Sequence, residues 1–110
     1  EVDKNELHPY YIEGLGKNII PGALDISVID EFVKVNDVES ALMARHISRT
    51  TGIFCGYTCG AAWVATEKYN QMHPFSKDSV VVVVFPDHGS RYMNKIYNDL
   101  WLEEKLNIKD

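Results

Sequence analysis

The sequence predicts an α/β fold, a three-layer open sheet with helices on both faces, and three observations point to it. Short apolar runs alternate with segments of helical periodicity. Residues 80–85 read Val-Val-Val-Val-Val-Phe, the composition of a strand covered on both faces in a parallel sheet. Asn36 and Glu39 stand three apart before an amphipathic stretch, as a helix start with a capping box requires. A length of 110 residues suits one domain with a core of its own.

The elements succeed one another along the chain. Residues 8–16 form a short β-type run that ends in the turn Gly14-Leu15-Gly16. An irregular stretch leads through Pro21, which has no N–H for a sheet ladder. Residues 30–35 alternate polar and apolar at period two, the pattern of a half-buried strand. The first helix starts at Asn36 with Asp37 at its positive end. It carries Val38, Ala41, Leu42, Met43 and Ile47 as its apolar stripe, and stops at Gly52. Residues 53–57 are a second buried strand, and Thr58 caps the helix that runs to His73-Pro74. The Val strand is broken at Pro86, and Ser90 is placed to cap the last helix. Met93, Ile96, Tyr97, Leu100 and Trp101 stand at helical spacing, which predicts that this final helix has one buried face.

Charge and composition exclude several functions. Eleven Lys and Arg against sixteen Asp and Glu give a net charge of −5, so neither nucleic acid nor an anionic membrane finds a basic footprint. The longest apolar run has six residues, far short of the roughly 20 that span a bilayer. Two cysteines and no signal-peptide core point to a reducing, cytoplasmic setting. The chain opens on Glu1 rather than Met, and we expect it to be a piece of something longer.

The densest chemistry lies in Cys55-Gly56-Tyr57-Thr58-Cys59-Gly60-Ala61-Ala62, where a strand turns into a helix of small residues. Ligands of open α/β sheets bind beyond the carboxyl ends of strands. A helix N-terminus there offers unpaired N–H groups. Thr58 adds a hydroxyl to that mouth; by pattern alone the plain helix cap is its commoner role. Cys55 and Cys59 have the wrong spacing for a redox pair, and Cys55 reads as a small buried hydrophobe. The four histidines, His8, His46, His73 and His88, are scattered, so no metal site is expected.

Four motifs, in order, resemble the pyridoxal-phosphate enzymes of the cysteine synthase and cystathionine β-synthase family. Glu13-Gly14-Leu15-Gly16 with Ile20-Pro21 is similar to that family's E-G-I-G-x-x-x-I-P signature. Residues 36–41 resemble its N/S-D-x-E-A helix start, and residues 52–62 its G-x-x-x-G-x-S-x-G-A turn. Residues 83–92, with Tyr97-Asn98-Asp99 and Trp101-Leu102 after them, resemble V-V-x-x-P-D-x-x-x-R-Y with Y-N-D-x-W-L.

The resemblance implies pyridoxal phosphate as cofactor and a fold type II enzyme, of which residues 1–110 are the C-terminal part of the large domain. It implies that Thr58 bonds the pyridine nitrogen, that Gly14 and Gly16 lie at the cofactor face, and that Pro86 and Asp87 flank the nitrogen pocket. Tyr57 and Cys59 depart from the family pattern. The family's Schiff-base lysine and phosphate loop have no counterpart in this chain, and Lys77 reads as a solvated loop lysine. The implied reaction is β-replacement, serine or O-acetylserine plus homocysteine or sulfide giving cystathionine or cysteine, with the chain inactive alone. Its partners would be amino-acid substrates and, through an uncovered apolar face, a second copy as a homodimer. The rival reading is a non-catalytic α/β binding or association module.

Overall fold

The computed structural model describes residues 10–12, 15 and 21–109. Gly14 and Gly16 therefore lie outside the described residues, as does most of the first expected strand. Three helices organise the rest: α1 (Asp37–Thr51), α2 (Tyr57–Met72) and α3 (Asp99–Leu106).

Helix α1 forms for the reasons its sequence gives. The Asn36 side chain accepts from the Glu39 N–H at 2.9 Å, and the Glu39 carboxylate accepts from the Asn36 N–H at 2.8 Å. Gly52 ends it at φ 77°, a left-handed conformation that glycine takes without penalty. The buried face is made by Ser40, Ala41, Ala44 and Ile47. Val38 and Leu42 stay exposed, because the small residues let α2 settle close along one narrow seam. On α2 that seam is Gly60, Ala61 and Val64, and a Cβ on Gly60 would run into the Ser40 carbonyl oxygen.

The expected sheet is not formed among the described residues. Their one β contact is an antiparallel bridge between Cys55 and His88. A strand exists only where another backbone pairs with it; residues 30–35 and 80–84 have no such neighbour among the described residues. Val80, Val82 and Val84 are accordingly 90%, 83% and 72% exposed, so the Val run presents one apolar row outward.

The final helix also differs from expectation. Residues Gly89–Tyr92 form a short 3-10 turn, and the α-helix starts only at Asp99. Asn98 divides the two, its side chain accepting from the Trp101 N–H at 3.2 Å. The single stripe is thus split: Tyr92, Ile96 and Leu102 are buried while Met93 and Leu100 face solvent. His88 rather than Ser90 caps the turn, Nδ1 accepting from the Ser90 N–H at 3.1 Å.

The core joins these pieces around α1 and the start of α2, with Ile12, Ala41, Ala44, Cys55, Tyr57, Tyr92, Ile96 and Leu102 in one cluster. Arg45 fastens the C-terminal region to α1, donating to the Ile96 carbonyl at 3.0 Å and to the Asp99 carboxylate at 2.7 Å. Among the described residues no helix is long and apolar enough to cross a membrane.

Candidate functional site

The start of α2 and the turn after the Val run are held together by their backbones. The Gly56 N–H donates to the Asp87 carbonyl at 3.2 Å, and the Gly89 N–H donates to the Phe54 carbonyl at 3.0 Å. Both positions need glycine for closeness of approach. A Cβ on Gly56 would meet the Asp87 carboxylate, and one on Gly89 the Phe54 ring.

Thr58 is half-buried in the first turn of α2. The expected capping role falls instead to Gly56, which has no side chain to offer a bond. Thr58 lies inside the helix, past the position from which a cap accepts the N2 or N3 amide. The residue stands in the first turn, at the positive end of the helix dipole.

Asp87 is the hub of the opposite side. Its carboxylate accepts from the Tyr92 hydroxyl at 2.6 Å, and its carbonyl oxygen accepts from the Cys59 thiol at 3.2 Å. Pro86, next to it, is exposed. Thr58 and Asp87, singled out separately in the sequence, are thus brought to one locus.

Five contacts around Tyr57 and Asp37 have no motif in the sequence. The Asp37 carboxylate accepts from the Tyr11 and Ile12 N–H groups at 2.8 and 3.1 Å, so it holds the segment before Glu13 as well as favouring the dipole. The Tyr57 hydroxyl donates to the Asp37 carbonyl at 2.8 Å. The Tyr57 ring packs edge-on against Tyr92 and Trp101 at centroid distances of 6.2 and 6.4 Å. Tyr57, a departure from the family pattern, therefore points back into the core. The signal was available: a tyrosine directly after Gly56 at a helix start has to bury its ring and satisfy its hydroxyl.

Cys55 and Cys59 are free and buried. Burial pushes the Cys55 thiol up, with neighbouring Cys59 adding to it, the opposite of what a reactive thiolate needs. Among the described residues no group of three His, Cys, Asp or Glu could hold a metal ion. An apolar groove of about 620 Å³ lies beside Tyr11, Leu15, Val35 and Leu106; neither Thr58 nor Asp87 lines it.

Alkaline pH should loosen this core. Burial pushes the Tyr97 hydroxyl, ordinarily 10.0, up to about 12, and it also raises Tyr57 and Cys55, whose ordinary values are 10.0 and 9.0. Each raised value means that the fold prefers the protonated form, so the contribution is complete below the unfolded values and is lost as pH climbs through the folded ones. The urea midpoint is therefore expected to hold steady from neutrality to about 9 and then fall toward 12. Tyr97→Phe should flatten that fall.

Comparison with known proteins supplies the context. The family model for pyridoxal-phosphate dependent enzymes matches residues 1–87. Cystathionine β-synthase of Saccharomyces cerevisiae is 34% identical over 110 residues, 99% of this chain and 22% of that protein. Cysteine synthase of Buchnera aphidicola is 36% identical over 93 residues, 84% of this chain and 29% of that protein. Among solved structures, an O-ureido-L-serine synthase superposes with a TM-score of 0.73 at 32% identity, covering 97% of this chain and 32% of that one. A hydrogen sulfide-producing enzyme gives 0.71 at 30%, covering 94% and 29%. The chain spans about a fifth of the length of the cystathionine β-synthases it matches.

Proposed function

The chain belongs to the pyridoxal-phosphate dependent enzymes, and from that premise we propose that it is a segment of a β-replacement enzyme of sulfur amino-acid metabolism. The whole enzyme would join serine or O-acetylserine to homocysteine or sulfide, giving cystathionine or cysteine. Residues 1–110 contribute the ring-nitrogen side of the cofactor site and are inactive by themselves. The Val run is the place where the remaining sheet, or a second copy, would cover the chain.

The observation that carries this reading is the place of Thr58 in the first turn of α2, between Gly56 and Cys59, both of which bond the Asp87 carbonyl. A pyridine nitrogen that stays neutral is an acceptor, and a threonine hydroxyl can donate to it. The positive end of the α2 dipole works in the same direction, since it disfavours a protonated nitrogen nearby. The donor chemistry thus fits pyridoxal phosphate. When bound, the cofactor supplies an electron sink, and a neutral nitrogen tempers it toward elimination and replacement at the β carbon.

The chain's own residues prepare that arrangement. Asp87, held by the Tyr92 hydroxyl, aligns its carbonyl with the Gly56 N–H and the Cys59 thiol and so fixes the first turn. Gly60 and the small residues after it seat α2 on α1, which sets the height of Thr58 in the fold.

The test is equilibrium binding of pyridoxal phosphate to the chain, read by ultrafiltration. Thr58→Ala removes one neutral hydrogen bond and should weaken binding about five- to tenfold; Thr58→Ser should keep it. Equal binding by the alanine variant would remove Thr58 from the site.

A further inference from the structure

We propose that Tyr57 is a positioning residue that ties the segment Tyr11–Ile12 to the first turn of α2, so that the two move as one body. The inference rests on reading the Thr58 turn as a cofactor site, since that reading gives the tie its consequence.

Tyr57 is the first residue of α2 and is fully buried. Its hydroxyl leaves the helix it belongs to and reaches the Asp37 carbonyl at 2.8 Å, at the start of α1. Asp37 in turn uses its carboxylate to hold the Tyr11 and Ile12 N–H groups at 2.8 and 3.1 Å. It therefore has one end on the N-terminal segment and the other on α2. The rings repeat the connection: Trp101 contacts Tyr11 at 5.6 Å and Tyr57 at 6.4 Å. On its far side Tyr57 packs against Tyr92, whose hydroxyl bonds the Asp87 carboxylate.

The chemistry of the parts suits a rigid tie. The bond of a buried tyrosine to a carbonyl acceptor is costly to leave unmade. Burial, with the Asp37 charge adding to it, pushes the Tyr57 hydroxyl up, which keeps it a donor. A carboxylate that accepts two main-chain N–H groups makes charge-assisted bonds, stronger than neutral ones. Tyr11 and Ile12 stand directly before the Glu13-Gly14-Leu15-Gly16 motif in sequence. A change at the α2 start is thereby delivered to the residues that lead into that motif.

Amide hydrogen exchange on the 110-residue chain tests the tie. Tyr57→Phe keeps the ring and deletes the hydroxyl. Exchange at Tyr11 and Ile12 is expected to accelerate about fivefold, the scale of one buried hydrogen bond, while Val64 in the middle of α2 keeps its rate. Adding pyridoxal phosphate should slow exchange at Thr58 and Ile12 together in the unsubstituted chain, and at Thr58 alone in Tyr57→Phe. That uncoupling is not produced by a residue that only fills space. Asp37→Asn cuts the tie at its other end and sets the rate of a released segment; if Tyr57→Phe does not fold, loss in Asp37→Asn of the joint protection of Thr58 and Ile12 by pyridoxal phosphate decides the matter. Wild-type rates at Tyr11 and Ile12 in Tyr57→Phe, or joint protection retained in Asp37→Asn, would overturn the proposal. If pyridoxal phosphate protects Thr58 in no chain, the cofactor reading fails, and the rates without it still decide for or against the tie.

Discussion

Gly60→Val should cost the fold about 3 kcal/mol or more, a large share of the roughly 5–15 kcal/mol that keeps a domain folded. The side chain would have to enter the seam where α2 lies on α1. There the first added carbon meets the Ser40 carbonyl oxygen, with the Ala44 nitrogen at 2.7 Å and the Ala44 Cβ at 3.0 Å. Two of these three atoms are backbone, so no rotamer change makes room. The helices would have to part, and Ala41, Ala44 and Ala61 would lose contact with the rest of the cluster. A counter-effect exists: alanine stabilises a helix interior by about 1 kcal/mol relative to glycine. Gly60→Ala separates the two, because it gains the full propensity term and meets the same atoms. It should still be destabilised, by about 1–2 kcal/mol. Urea unfolding checks both variants, and a Gly60→Ala chain more stable than the parent would mean that α1 and α2 are not packed this closely.

How much of this was legible depended on whether the determining forces were local. The two ends of α1 are local: Asn36 and Glu39 form the capping box expected of them, and Gly52 takes the left-handed turn. The end of α2 at His73 is equally plain, since proline comes next and cannot continue a helix. The last helix departs from expectation for a reason also written locally. Helical spacing from Met93 to Trp101 is real, but Asn98 competes as a cap and starts a new helix in the middle of it. The strands depart from it for a different reason. Five valines state a preference for extended backbone and burial, yet a ladder requires a partner that a run cannot supply for itself.

The candidate site divides along the same line. The turn at residues 55–60 and Asp87 are visible because glycine, threonine and proline punctuate the chain there. Their contact, through the Gly56 N–H and the Asp87 carbonyl, spans thirty-one residues of sequence and has no local signature. Asp37 can be read only for its helix end, because its acceptance of the Tyr11 and Ile12 N–H groups depends on where α1 is carried by the core. Thr58 imitates a cap for a subtler reason. Glycine caps a helix without a side-chain bond, so the boundary lies two residues earlier than the first hydroxyl.

Gly56→Ala should remove about 2 kcal/mol of stability and loosen the candidate site at the same time. The backbone there, at φ −83° and ψ −179°, is open to any residue, so the requirement for glycine is one of space alone. The added methyl would occupy the position of the Asp87 carboxylate and come within 2.7 Å of the Tyr92 ring. Asp87 cannot simply rotate away, since its carboxylate is the acceptor of the Tyr92 hydroxyl at 2.6 Å. Asp87→Ala alone takes that acceptor away and should cost about 1–2 kcal/mol. The double variant is the informative one. With the carboxylate gone, the methyl at position 56 gains much of the room it lacked, so the two losses should not add. A favourable interaction on the order of 1 kcal/mol is expected from the cycle. Strict additivity would mean that the Gly56 methyl and the Asp87 carboxylate never compete for one space. The same cycle read through pyridoxal phosphate binding should behave otherwise. Asp87→Ala restores room for the methyl but not the hold of Tyr92 on the Asp87 turn, so stability recovers in the double variant while binding does not. Recovery of both together would assign Asp87 to packing and leave Thr58 to orient itself.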